Sequence, residues 1–175
     1  MSQREPTPHL KDLNRIIDSR GFFSELIKST KLAPNEQFQL NHSRSLKGVL
    51  RGLHFTNRPS SKSIVCIRGS IQGVIVNLSR NQDCFGQVTH YQLDDKSSEM
   101  FFVPPNYAHG FQVLSELADI IYFTDSIYSP QDDHAINALD PSLNINWDQT
   151  NLIRSTRDIN AMGWTEYVNS RDLPL

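Results

Sequence analysis

Only two cysteines, Cys66 and Cys84, occur among the 175 residues. Cys66 sits in the apolar run Ile64-Val65-Cys66-Ile67 and reads as a small buried hydrophobe, while Cys84 falls in a turn. Two such residues make no disulfide framework, so free thiols in a reducing cytoplasm are expected. No apolar stretch approaches the roughly 20 residues that a transmembrane helix needs. The polar start, Met1 to Asn14 with Pro6 and Pro8, has no apolar h-region, and no signal peptide is expected. Basic runs and acidic tails are absent as well. The 17 Lys and Arg and 19 Asp and Glu are scattered, for a net charge of −2. This pattern points away from nucleic acid and from anionic membranes. It leaves room for a small anionic ligand held by a few local cations. Internal repeats, linkers and low-complexity segments are missing too, and the length suits one domain, residues 1–175, with a real core.

Helical periodicity is also scarce. Glu25–Thr30 and Ser155–Ile159 each fit about one helical turn. What the chain does contain is short runs rich in Val, Ile and Phe. Strands are expected at Leu13–Asp18, Phe38–Arg44, Gly48–Phe55, Ser63–Arg68, Ser70–Leu78, Gln87–Leu93, Glu99–Val103, Ala108–Leu114 and Asp119–Ile127. Turn signals such as Arg58-Pro59-Ser60 and Pro104-Pro105-Asn106 separate them. This spacing predicts an all-β antiparallel sandwich or barrel. Ser70–Leu78 is apolar on both faces, which predicts a strand covered on both sides.

Gly48-Val49-Leu50-Arg51-Gly52-Leu53-His54-Phe55 is the most informative run. Regular alternation would put Arg51 and His54 on opposite faces. Gly52 stands between them, and a bulge there would bring both to one face. A cation and an imidazole inside a barrel are expensive unless they have work to do.

Other reactive side chains lie on or beside the expected strands: Lys62, His109, Tyr122 and Asp158. One chemistry is a metal-binding cupin site, which uses a His-x-His pair with a downstream carboxylate. Gly52 and Thr56 stand two residues either side of His54, and the chain has no His-x-His at all. The other chemistry is proton abstraction beside a carbonyl. It needs a base that titrates near neutrality, a carboxylate to orient it, a cation for the enolate and an acid on the opposite face. His54, Asp158, Lys62 and Tyr122 could fill those roles. Each also has a plain structural reading: a satisfied strand histidine, a helix cap, an edge-strand lysine, a packed tyrosine. Arg20 in Asp18-Ser19-Arg20-Gly21 could be a turn residue. The residue types alone leave these alternatives open.

Longer motifs bear on the choice. Asp18-Ser19-Arg20-Gly21-Phe22-Phe23-Ser24-Glu25, Gln39-Leu40-Asn41-His42-Ser43, the Gly48 to Phe55 run, Pro104 to Phe111 and Asp140 to Trp147 occur in that order. Together they resemble the dTDP-4-dehydrorhamnose 3,5-epimerase family, from about Asp18 to Asp158. The resemblance implies a double-stranded β-helix, that is, a cupin-like jelly-roll barrel with short peripheral helices. It also implies a homodimer that uses no metal and no cofactor on a nucleotide-linked 4-keto-6-deoxy sugar.

In the family's terms His54 matches the base, Asp158 its partner, Tyr122 the acid and Lys62 the enolate-steadying lysine. Arg51 and His109 match residues lining the sugar and pyrophosphate pocket. Arg20, Glu25, Gln39 and Asn41 match nucleotide contacts, some reaching across the dimer, and Tyr128 matches an aromatic near the pocket. A mono-epimerase acting at C3 or C5 alone, and a non-catalytic sugar-nucleotide-binding cupin, are the rival readings. Three departures stand out. The His54-to-Lys62 segment is short, Gly73 and Asn77 replace the acidic residues that the family often carries, and Asn106 replaces a usual glycine. Loss of those carboxylates is expected to loosen His109.

Overall fold

The structure, a computed structural model, describes residues 15–33, 36–80, 83–96, 99–148 and 150–170, without the side chains of residues 15, 24–33 and 36. Eleven strands are described: β1 (Arg15–Asp18), β2 (Gly21–Ala33), β3 (Glu36–Leu46), β4 (Leu50–Thr56), β5 (Lys62–Arg68), β6 (Ser70–Asn77), β7 (Val88–Asp94), β8 (Phe101–Val103), β9 (Tyr107–Val113), β10 (Leu117–Thr124) and β11 (Asp133–Ala135). They form two antiparallel sheets, ordered β1-β2-β3-β10-β5-β8 and β11-β4-β9-β6-β7. Consecutive strands β3 to β6 alternate between the two sheets, the connectivity of the expected jelly roll. Two short helices follow, α1 (Thr156–Ile159) and α2 (Trp164–Asn169), after a single 3-10 turn at Pro141–Leu143. Among the described residues no helix is long and apolar enough to cross a membrane.

Two apolar layers hold the sheets. One lies between them and includes Ile64, Cys66, Ile71, Ile75, Phe111 and Ile120. The other covers the outer face of the five-stranded sheet, where Leu50, Leu53, Val74 and Val76 pack against Ile136, Leu143 and Tyr167 from the C-terminal third. β6 therefore buries both faces, as its two apolar sides predict. Ile71 and Ile75 point inward and Val74 and Val76 outward. Neither cysteine is in a disulfide.

Most expected strands form, with boundaries shifted by a few residues. Residues 25–30 do not form the expected helical turn. They lie within β2, which pairs along most of its length with β3, from Gly21↔Ser45 to Ala33↔Glu36. The helical spacing in Glu25-Leu26-Ile27-Lys28 is a weak local preference, and a long inter-strand ladder outweighs it. β11 and α2 are additions to the expected elements. Leu13 and Asn14, which head the first expected strand, lie outside the described residues.

Candidate active site

The Gly52 bulge exists. β4 pairs with β9 as Arg51↔Phe111 and then His54↔His109, a register shift across the two intervening residues. Leu50, Leu53 and Phe55 all point into the outer apolar layer, so Arg51 and His54 share the inner face. Glycine is required at the bulge. Its φ is +126°, and a β-carbon there would stand 2.5 Å from the Gly110 Cα.

The inner face of β4 holds a connected polar chain. His54 Nε2 lies 2.6 Å from Asp158 Oδ1. Asp158 reaches it from α1, whose first turn is capped by Ser155 Oγ accepting the Asp158 N–H at 3.1 Å. Asp158 has no solvent exposure. Burial pushes its carboxyl upward, but the His54 bond, the nearby charge and the Ser155 and Arg20 contacts outweigh that and hold it below the usual carboxylate range. Arg20 Nη1 donates to Asp158 Oδ2 at 3.5 Å, and its Nη2 donates to Asp18 at 2.6 Å. Arg20 is thus both a residue of the β1–β2 turn and a neighbour of the His54 pair. Arg51 donates Nε–H to Ser45 Oγ at 2.9 Å. Burial lowers its pKa, while Tyr122, Asp18 and Asp158 act the other way.

The facing sheet supplies the other groups. On β10, Tyr122 pairs with Asn41 of β3 and Ile64 of β5, and Thr124 pairs with Lys62. Tyr122 and Lys62 are therefore diagonal neighbours on one face, about 7–8 Å apart. Tyr122 is half-buried and stacks on Phe23 with ring centroids 6.5 Å apart. Lys62 lies inside the sheet, between β10 and β8, and is not an edge residue. Burial lowers its pKa, against the supporting charge of Asp133.

A cleft of about 300 Å³ opens between the sheets, lined by His54, Lys62, His109, Gln39, Tyr128 and Arg58 among others. Gln39 is buried, and its amide ties β3 to the backbone at Tyr128. Its Oε1 accepts the Tyr128 N–H at 2.8 Å, and its Nε2 donates to Asn41 Oδ1 at 2.9 Å. Glu25 lies opposite Asn41 on β2, with its side chain outside the described residues. The short segment between His54 and Lys62 is tied down by Asp125, which accepts from Ser60 Oγ and Ser61 N–H at 2.9 Å each and from Ser61 Oγ at 2.5 Å. Asn106 adopts φ 65°, so it takes the left-handed backbone that its place in the turn requires.

His109 is not loose. Its Nε2 lies 2.6 Å from the Tyr91 hydroxyl. Burial, then the charges of Lys62 and His54, push its pKa well below the usual histidine value. Tyr91 gave no signal in the sequence beyond sharing the inward parity of Leu93. Asp133 and Arg157, which pair at 2.7 Å beside the cleft, are a second omission. They lie on β11 and α1, where spacing along the chain suggests no meeting. Among the described residues no group of three or more His, Cys, Asp or Glu is placed to hold a metal ion.

A buried carboxylate on an imidazole, with a lysine and a tyrosine on the opposite wall, is an arrangement for moving protons at a polarised carbon. The family profile described as dTDP-4-dehydrorhamnose 3,5-epimerase matches residues 9–166. The chain belongs to that family. A dTDP-4-dehydrorhamnose 3,5-epimerase of Shigella flexneri is 34% identical over 156 residues, covering 85% of this chain and 86% of the relative. A dTDP-4-dehydrorhamnose 3-epimerase of Streptomyces niveus is 31% identical, covering 90% and 79%. Among solved structures, a 3,5-epimerase of Legionella pneumophila in complex with dTDP-4-keto-L-rhamnose superposes with a TM-score of 0.73 at 32% identity, covering 93% of this chain and 89% of that one. The fold and the enzyme class, an epimerase within the isomerases, follow from this membership.

Proposed function

We propose that the protein epimerises a dTDP-linked 4-keto-6-deoxyhexose at C3 and C5, through an enolate, in dTDP-rhamnose or related deoxysugar synthesis. The observation that carries this reading is the 2.6 Å His54–Asp158 bond on the inner face of one sheet, with Lys62 and Tyr122 on the inner face of the sheet opposite. Asp158 is held ionised and can only accept, so the proton of the pair sits on His54 Nε2. Nδ1 is then left with its lone pair as the basic nitrogen. The C4 ketone acidifies the hydrogens at C3 and C5. His54 takes one as a proton, the C–H electrons move into the enolate, and the Lys62 ammonium balances the developing charge on oxygen. Facing sheets lie about 10 Å apart, so a sugar ring between them meets His54 on one side and Tyr122 on the other. Return of a proton from the Tyr122 side inverts the carbon. The ketone is the electron sink, and the reaction calls for no cofactor.

Arg20, Arg51, Gln39, Asn41, Glu25, His109 and Tyr128 serve as the nucleotide-sugar contacts in this reading. The same reading makes residues 1–175 one domain and the enzyme a cytoplasmic homodimer. Two cysteines that form no disulfide, and the exposed apolar outer face of the six-stranded sheet, support the last two points. The Streptomyces niveus relative supports a second reading, epimerisation at C3 alone.

Incubation with dTDP-4-keto-6-deoxyglucose in D₂O, followed by NMR, separates them. Deuterium at C3 and C5 is expected, whereas deuterium at one carbon makes the protein a mono-epimerase. His54→Ala should abolish exchange and keep dTDP binding. Exchange near the wild-type rate in that variant would remove His54 as the base.

A further inference from the structure

The pairing of Tyr91 with His109 is built into the sheet. β6 separates their strands, with Gly73 lying opposite Tyr91 on one side and Phe111 on the other, and Ile75 opposite His109. Tyr91 stands on the edge strand β7, two strand spacings, roughly 10 Å, from β9. It bridges that distance by laying its ring across Gly73. A β-carbon at Gly73 would overlap the ring atoms of Tyr91. The backbone at Gly73 does not have a positive φ, so what excludes a side chain here is the tyrosine ring rather than the conformation. The ring is clamped from the other side by Phe101, at 3.6 Å between centroids and 8° between planes. Space, stacking and reach all direct one hydroxyl at one imidazole nitrogen.

We infer that Tyr91 is a positioning residue that fixes His109 as its Nδ1–H tautomer and so gives the sugar pocket a neutral hydrogen-bond donor. The inference rests on the epimerase reading for the identity of the ligand. It rests on geometry for the tautomer.

Tyr91 is partly buried, and its hydroxyl proton needs an acceptor. Among the described residues the acceptor that Tyr91 reaches is His109 Nε2, at 2.6 Å. Accepting that proton uses the Nε2 lone pair, so the ring proton resides on Nδ1. Burial raises the Tyr91 pKa and lowers that of His109, which keeps both partners neutral. A carboxylate in the same place would behave differently. It would accept from Nε2–H, favour the imidazolium, and leave Nδ1 as an acceptor or a cationic donor. The Gly73 and Tyr91 pair thus exchanges an anionic partner for a neutral one. The matching ligand group is an acceptor, namely a hydroxyl or carbonyl oxygen of the sugar, as His109 lines the cleft beside His54 and Lys62.

The test is nitrogen-15 NMR of histidine-labelled full-length protein near pH 7, with turnover measured in parallel. Wild type should show His109 protonated at Nδ1. Tyr91→Phe keeps the ring and its stack but deletes the donor. His109 should then shift to a mixture of tautomers. Turnover should fall about tenfold, the worth of one hydrogen bond, with dTDP affinity unchanged. Gly73→Ala should displace the ring and produce the same spectral change with the hydroxyl still present. An Nε2–H tautomer or an imidazolium in wild type would overturn the inference, as would an unaltered His109 signal in Tyr91→Phe. If wild type fails to exchange C–H hydrogens of the keto sugar, the proposed activity falls, and the His109 spectrum still decides the role of Tyr91.

Discussion

An imidazole bonded to an ionised carboxylate has its proton placed for it, and this separates the work of His54 from that of Tyr122. His54 Nε2 is occupied by Asp158 at 2.6 Å, so one nitrogen remains for chemistry. Tyr122 sits on the opposite wall and stacks on Phe23. Removing its hydroxyl should leave abstraction by His54 in place while impairing protonation of the far face. Tyr122→Phe is therefore expected to slow product formation by about 100-fold or more, the usual contribution of a positioned acid, while deuterium exchange is reduced far less. Parallel NMR measurement of exchange and of inverted product in D₂O checks this, and equal loss of both would remove the acid role. The meeting of His54 and Asp158 could not be read from spacing, because 104 residues separate them. The family resemblance supplied the pairing, and the geometry supplies the reason it holds, namely the Ser155 cap that fixes the first turn of α1. Tyr91 escaped notice because its importance depends on the missing side chain of Gly73, one strand away.

At the scale of elements, the inner face of β4 depends on one glycine. The bulge at Gly52 was legible in the sequence, as a glycine between a cation and an imidazole in an otherwise apolar strand. The error over residues 25–30 has the opposite origin. Their local spacing suits a helix, but their state is set by pairing with β3, which no local pattern reports. Gly52→Ala tests the bulge directly. Its β-carbon must push against the Gly110 Cα and the His109 carbonyl, at 2.5 and 2.9 Å, from a backbone with φ +126°. Left-handed strain alone costs about 1–3 kcal/mol, and two backbone contacts that cannot rotate away add to it. The variant should lose at least about 2 kcal/mol in urea denaturation. In whatever fraction folds, exchange activity should drop more steeply than dTDP affinity, because the strand that carries His54 is the one displaced. Stability within 0.5 kcal/mol of wild type, a change about the size of an ordinary surface substitution, would show that the bulge tolerates a side chain.

At the scale of the molecule, the two sheets are finished differently. The five-stranded sheet has its outer face covered by the chain's own C-terminal third, through Ile136, Leu143 and Tyr167. The six-stranded sheet turns Phe102, Ile67 and Phe123 outward at 54, 54 and 41% exposure. The registers Leu40↔Phe123, Phe123↔Ser63 and Ser63↔Phe102 place Leu40, Phe123 and Phe102 in a row across four strands, with Ser63 between the two rings and Ile121, Val65 and Ile67 alongside. Contiguous apolar surface of this kind on a folded domain marks a contact face. A second copy of this chain is the occupant we propose for it, in keeping with the homodimers that the family resemblance implies. The same sheet carries Tyr122, Lys62, Gln39 and Asn41 on its inner side, so a partner on the outer side would stiffen one wall of the cleft. Phe102→Asp places a charge at the β8 end of the row without touching the cleft. Sedimentation should shift from dimer to monomer at micromolar protein, and the apparent affinity for dTDP should weaken as the protein is diluted. A variant that sediments as a dimer like wild type would move the interface elsewhere, and a wild type that is monomeric at these concentrations would end the proposal of a second copy.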